Sequence, residues 1–215
     1  MCLLANLVLA MQTDTLVTLE EYLAFEVEAE TRHEYWHGRI VAMAGETYNH
    51  NAVKDDLVAA LRQYSTCDVL SSGLRVRAPD YGRENYAYPD GVVMCGQKQF
   101  DETTNPPTLL NPTVLIEVVS ESTRSRDFAD KLEAYFRLDS LQEYWIVEAD
   151  RPYVVRYERR EGRILVHMIP DLDQALQSEA LGVSIPLREI YRRVPTSHTG
   201  ASKLCFQELL QSQRS

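Results

Sequence analysis

The chain has 215 residues, 45% of them hydrophobic and 25% charged, with a formal net charge of −10. This is the composition of one soluble globular domain, without an apolar run long enough to span a bilayer, and its acidity argues against a broad basic surface that grips nucleic acid. A local basic cleft remains compatible with it, and Arg75, Arg77, Arg124, Arg126 and Lys131 are the residues that could line one.

The opening "MCLLANLVLAMQ" has the apolar character of a signal h-region but lacks a Lys/Arg n-region and an A-x-A site. Met11 reads as an alternative start, so residues 1–15 are set apart as an extension. Cys2, Cys67, Cys95 and Cys205 lie far apart, without a C-x-x-C pair or zinc spacing, which points to free thiols and a cytoplasmic protein.

The first predicted element is a short helix opened by the capping box "TLEE" at Thr18 to Glu21. "HEYWHGRIVAMAG" then alternates on either side of His37-Gly38, the pattern of a hairpin. Val53, Leu57, Leu61 and Tyr64 form the apolar stripe of a second helix over residues 49–64. Strands follow in "LRVRA", "YAYPDGVVMC" and "TVLIEVVS", then a helix in "SRDFADKLEAYFRL" with Phe128, Leu132, Tyr135 and Phe136 on one side. "EYWIVEA", "YVVRYER" and "RILVHMI" are three closing strands. The order predicts an α/β (α+β) domain over residues 16–194, a central mixed sheet with helices packed on it, followed by a tail over 195–215.

Two carboxylates stand out. Five of the seven residues in 114–120 are Val, Leu or Ile, yet Glu117 sits among them, on the same face as Leu115 and Val119. A buried carboxylate must be paired, protonated or bound to a cation. Asp90 follows Pro89 at the start of an apolar strand, where no ladder N–H is needed. If the two strands are neighbours, Asp90 and Glu117 converge at one sheet end and offer the oxygen ligands that Mg²⁺ or Mn²⁺ takes. Lys131, on the helix that follows Glu117's strand, can pair with Glu117 or stabilise charge on a phosphate. An internal Glu117–Lys131 ion pair without any metal accounts for the same residues.

"YPDGVVMCG" together with "NPTVLIEVVSESTRSRDFADKLEAYFRLDSLQEYWIVEADRPYVVRYER" resembles the Uma-two-type restriction endonuclease family of the PD-(D/E)XK nuclease superfamily. "HEYWHGRIVAMAG" and "NHNAVKDDLVAAL" are similar to its N-terminal hairpin and helix, so the resemblance covers about residues 16–193. It implies a restriction-endonuclease-like fold with an N-terminal helix and hairpin, and Mg²⁺- or Mn²⁺-dependent hydrolysis of DNA phosphodiester bonds by a homodimer. On that resemblance Asp90 and Glu117 are the acids, the Val118 carbonyl is a further metal ligand, and Glu34 and His50 are polar residues that support the site. The position two after Glu117, where the superfamily motif has lysine, is Val119. The resemblance assigns the lysine's role to Lys131, migrated to the next helix. A non-catalytic scaffold that keeps the fold, or a hydrolase of a small phosphoester, are the alternatives.

Overall fold

A computed structural model of the protein describes residues 16–43, 45–119 and 131–195. Helix α1 (Leu19–Glu28) begins at the expected capping box: the Thr18 side chain accepts from the Glu21 N–H while Glu21 accepts from the Thr18 N–H at 2.8 Å. Tyr22 fastens this helix to strand β1 (His33–Trp36) by donating to the His33 carbonyl at 2.8 Å and stacking on Tyr35. Strand β2 (Arg39–Ala42) returns through His37 and Gly38, with φ of 51° and 83°. Two consecutive positive φ values are what a two-residue hairpin turn matched to strand twist requires. Helix α2 (Tyr48–Tyr64) is capped by Thr47, whose side chain accepts from the His50 N–H.

The strands are β3 (Asp68–Ser71), β4 (Val76–Asp80), β5 (Arg83–Ala87), β6 (Gly91–Met94), β7 (Phe100–Asp101), β8 (Thr108–Leu109) and β9 (Val114–Val119). After helix α3 (Leu132–Tyr135) come β10 (Glu143–Glu148), β11 (Val154–Arg160), β12 (Arg163–Ile169), the hairpin β13 (Ala175–Ser178) and β14 (Val183–Pro186), and helix α4 (Leu187–Ile190). Strands β1 to β12 build two six-stranded sheets, ordered β2-β1-β5-β4-β8-β7 and β12-β11-β10-β9-β6-β3, while β13 and β14 pair with each other. In the second, β9 and β10 run parallel and every other neighbouring pair is antiparallel.

The sequence suggests one strand across "YAYPDGVVMC", and the structure divides it. Tyr86 and Ala87 belong to β5 in the first sheet, while Gly91 opens β6 in the second. Pro89 lies between them and has no N–H to give a ladder, so the chain changes sheets there and leaves Asp90 at the seam.

The β9 residues alternate as period-2 geometry demands. Val114, Ile116 and Val118 face a core with Val53, Leu57 and Leu61 of α2 and Ile185 and Leu187 near the C-terminal end. Each of these buried aliphatic side chains contributes about 1.5–3 kcal/mol over leaving it in water. Leu115 and Val119 face the opposite core, with Tyr135 of α3 and Val76, Ala78 and Ala87 of the other sheet. The second sheet is thus covered by helices on one face and by the first sheet and α3 on the other.

The expectation of free thiols fails for two cysteines. Cys67 and Cys95 form a disulfide, their Cα atoms 4.7 Å apart. The antiparallel pairing of Asp68 with Met94 brings the flanking cysteines face to face across β3 and β6. A separation of 28 residues hides this from any reading of local spacing, and the inference of a cytoplasmic location from free thiols does not hold for this pair. Cys2, Cys205 and the 195–215 tail beyond Pro195 lie outside the described residues, as do residues 1–15. No described helix is long and apolar enough to cross a membrane.

Candidate active site

The antiparallel register of β6 and β9 sets Gly91 opposite Ile116. Continued by one residue, it sets Asp90 opposite Glu117. Gly91 makes the approach possible, because a Cβ there would lie 3.0 Å from Ile116 Cδ1 and 3.1 Å from its Cβ. Both carboxylates are buried, Asp90 at 6% exposure and Glu117 at 5%. Asp90 Oδ2 accepts from the Val118 N–H at 2.8 Å, and Oδ1 lies 3.1 Å from His50 Nε2. An extended residue points its N–H and C=O to the same side of the strand, so the Val118 carbonyl faces the Asp90 side, where β6 begins.

Glu117 Oε1 accepts from Lys131 Nζ at 2.7 Å and from the Tyr135 hydroxyl at 3.0 Å. Lys131 stands at the head of α3, so the helix after β9 brings the ammonium back over the strand it has just left. The same ammonium donates to Glu34 Oε1 at 3.0 Å. Glu34 is also held by the Trp36 indole N–H at 3.1 Å and the Tyr88 N–H at 3.3 Å. Because Tyr35 faces α1, period-2 alternation turns Glu34 and Trp36 inward. The hairpin therefore delivers a carboxylate to the Lys131 ammonium. Burial pushes the Tyr88 phenol above its ordinary range, with the Glu26 carboxylate beside it acting in the same direction.

The residues singled out in the sequence thus assemble from four elements: Glu34 from β1, His50 from α2, Asp90 and Glu117 from the β6–β9 seam, and Lys131 from α3. They form two linked groups. Asp90 meets His50; Glu117 meets Lys131 and Tyr135, and Lys131 in turn meets Glu34. Among the described residues, no Lys or Arg lies within ion-pair distance of Asp90.

The remaining basic candidates do not gather here. Arg75 is fully buried and spends its guanidinium on Thr108 Oγ1 and the Pro106 carbonyl, at 2.8 and 2.7 Å. Arg77 pairs with Glu84. The expectation that these two line a basic cleft is corrected: both belong to the first sheet's own scaffolding. Arg124 and Arg126 lie outside the described residues.

Residues that the sequence reading passed over also belong to the site. Tyr135 counts in the periodicity as core, and its hydroxyl reaches Glu117. Glu46 ion-pairs with Lys54 and lies 3.9 Å from His50 Nε2. Ligand atoms of Glu46, His50 and Asp90 lie within 4.8 Å of one another. The i, i+4, i+8 spacing of Glu46, His50 and Lys54 was the available signal, since it lines the three residues along one side of the helix entrance.

The sequence profile of the Uma2 family, described as "Putative restriction endonuclease", matches residues 19–188. Two similar proteins of Synechocystis sp. PCC 6803 are both named uncharacterized. The protein slr1290 is 26% identical over 176 residues, 80% of this chain and 90% of its own. The protein sll1609 is 29% identical over 153 residues, 68% of this chain and 83% of its own. Among solved structures, one described as "a putative nuclease belonging to DUF820" from Anabaena variabilis superposes with a TM-score of 0.66 at 16% identity, covering 82% of this chain and 98% of that one. At that identity the likeness is one of fold.

Proposed function

The chain belongs to the Uma2 family, and from that premise we propose that it is a metal-dependent endonuclease that hydrolyses DNA phosphodiester bonds at the Asp90–Glu117 seam. The observation that carries the reading is the β6–β9 register that continues to set Asp90 opposite Glu117, with Asp90 on the Val118 N–H and Lys131 on Glu117. The donor set fits a hard divalent cation: Asp90 and Glu117 carboxylate oxygens with the Val118 carbonyl are what Mg²⁺ or Mn²⁺ takes, and Asp90 has only an imidazole and a backbone N–H as described partners. When bound, such an ion neutralises phosphate charge and lowers the pKa of a coordinated water.

The chain's own groups do the rest. Asp90 and Glu117 would hold the cation where β6 begins, at the edge of the β6–β9 ladder. Lys131 Nζ orients the attacking water and meets the charge that develops on the phosphate. Tyr135 and Glu34 fix the positions of Glu117 and Lys131, so neither has to reorganise during the reaction. The test of the site is Mn²⁺ titration calorimetry on Asp90→Asn, which keeps the side chain's shape and removes its charge. Loss of binding with unchanged circular dichroism is expected, and unchanged affinity would overturn the assignment.

A second reading, a non-catalytic scaffold, is favoured by the Lys131–Glu117–Glu34 network, in which one buried ammonium pairs with both carboxylates. It predicts a folded protein with no measurable affinity for Mn²⁺.

The proposal includes a homodimer. β12 ends the second sheet, and Ile164, Val166 and Met168 alternate along it at 47%, 51% and 50% exposure. This pattern is symmetric about Val166, so antiparallel pairing with a second copy of β12 sets Ile164 of one copy against Met168 of the other. A two-fold interface is self-complementary in this way.

A further inference from the structure

The residues around Asp90 that the mechanism above leaves unused are His50, Glu46 and Lys54. We infer that His50 and Glu46 are direct cation ligands on the α2 side of Asp90, giving the site an imidazole nitrogen and a preference for Mn²⁺-class ions over Mg²⁺. This rests on the proposed Asp90–Glu117 metal site and extends it.

Three observations carry the inference. His50 Nε2 is aimed between two carboxylates, 3.1 Å from Asp90 Oδ1 and 3.9 Å from Glu46 Oε2. The ligand atoms of all three residues lie within 4.8 Å of each other, so an ion among them needs only small side-chain rotations to reach ordinary bond lengths. The groups are also held from behind. His50 lies in the first turn of α2, with its N–H on the Thr47 cap, and Asp90 is fixed by the Val118 N–H. Of the three, Glu46 is the exposed member.

Lys54 explains how the cluster stands without an ion. Its buried ammonium pairs with Glu46 Oε2 and lies 3.4 Å from Ser72 Oγ. Every described contact of Glu46 is made by Oε2, which leaves Oε1 to ligate while Lys54 keeps its hold. With its proton on Nδ1, His50 presents the Nε2 lone pair to the ion. Imidazole nitrogen suits Mn²⁺ and the later first-row metals, whereas Mg²⁺ takes oxygen, so the trio shifts selectivity along the series.

Electron spin-echo envelope spectroscopy of Mn²⁺ added to the purified full-length protein tests this without any activity assay. The expected spectrum contains the ¹⁴N modulation of a directly bound imidazole. Protein labelled with ¹⁵N-histidine should replace that pattern with the ¹⁵N one, and His50→Gln should abolish it while Mn²⁺ still binds. The ratio of Mn²⁺ to Mg²⁺ affinity should fall by roughly tenfold or more in His50→Gln, the scale for weakening one ligand of a metal site. Bound Mn²⁺ without histidine nitrogen coupling in the wild-type protein overturns the inference and leaves the Asp90–Glu117 site standing. Coupling that persists in His50→Gln overturns it by assigning the nitrogen to another histidine. No Mn²⁺ binding at all removes the metal site itself. If His50→Gln fails to fold, a labelled wild-type spectrum without ¹⁵N coupling still overturns the inference, and His50→Asn takes that variant's place to assign a coupling that is present.

Discussion

Lys131 is the residue on which the two functional readings divide. Its ammonium lies between two carboxylates that are, like it, almost wholly buried: Glu34 at 2% exposure and Glu117 at 5%. Lys131→Met should therefore lower metal-free stability by about 3–5 kcal/mol, the scale for removing one partner of a buried ion pair. In a nuclease, saturating Mn²⁺ should recover part of that loss, because a cation beside Glu117 replaces the missing charge, while cleavage stays down by about 100-fold or more. Melting curves with EDTA and with Mn²⁺, run beside cleavage assays, check both halves; a melting deficit that Mn²⁺ leaves untouched favours the scaffold. Glu117→Gln behaves differently. It keeps an acceptor for Tyr135 and leaves Lys131 its bond to Glu34, so melting should move little while Mn²⁺ affinity, measured by calorimetry, drops by roughly tenfold or more.

At the scale of elements, the β6–β9 seam decides where the acids stand, and Gly91 sets how closely the two strands approach. Gly91→Ala puts a methyl carbon 3.0 Å from Ile116 Cδ1, so the strands must part or Ile116 must shift. A loss of about 1–3 kcal/mol is expected from this overpacking, read by denaturant titration. Ile116→Val in the same chain should restore part of it, since it removes the Cδ1 carbon, and strict additivity of the two substitutions would contradict the contact. The sequence made Asp90, Glu117 and Lys131 legible because each is a local anomaly: a charge in or beside an apolar strand, or on the helix directly following it. α1, the hairpin and α2 were legible for the same local reasons, a capping box, alternating segments joined at His37-Gly38 and a 3.6-residue stripe. Other features depend on contacts between elements and leave no local mark. Nothing near Pro89 announces that β5 and β6 join different sheets, and the pairing of Cys67 with Cys95 exists only once β3 lies against β6. Tyr135 looks like one more core aromatic until α3 is laid over Glu117.

The whole molecule offers a sheet with helices on one face, a second sheet on the other, and an apolar terminal strand. If β12 pairs with its copy, the wild-type chain should run as a dimer in size-exclusion chromatography with light scattering. Val166→Lys would set two ammonium groups against each other at the two-fold axis and should give a folded monomer; a wild-type monomer, or a dimer unaffected by the change, would place the interface elsewhere or remove it. The acidic chain as a whole repels a polyanion. On the proposed reading the cation site supplies the attraction, and metal is then the condition for cleavage. The direct measurement is incubation of purified protein with supercoiled plasmid and with single-stranded DNA, each in Mg²⁺, Mn²⁺ or EDTA, alongside Asp90→Asn purified in the same way. The account predicts cleavage by the wild-type protein with metal, none in EDTA, and none by the variant under any condition. Cleavage that survives EDTA, equal cleavage by Asp90→Asn, or a folded, Mn²⁺-bound protein that leaves both DNAs intact would contradict it.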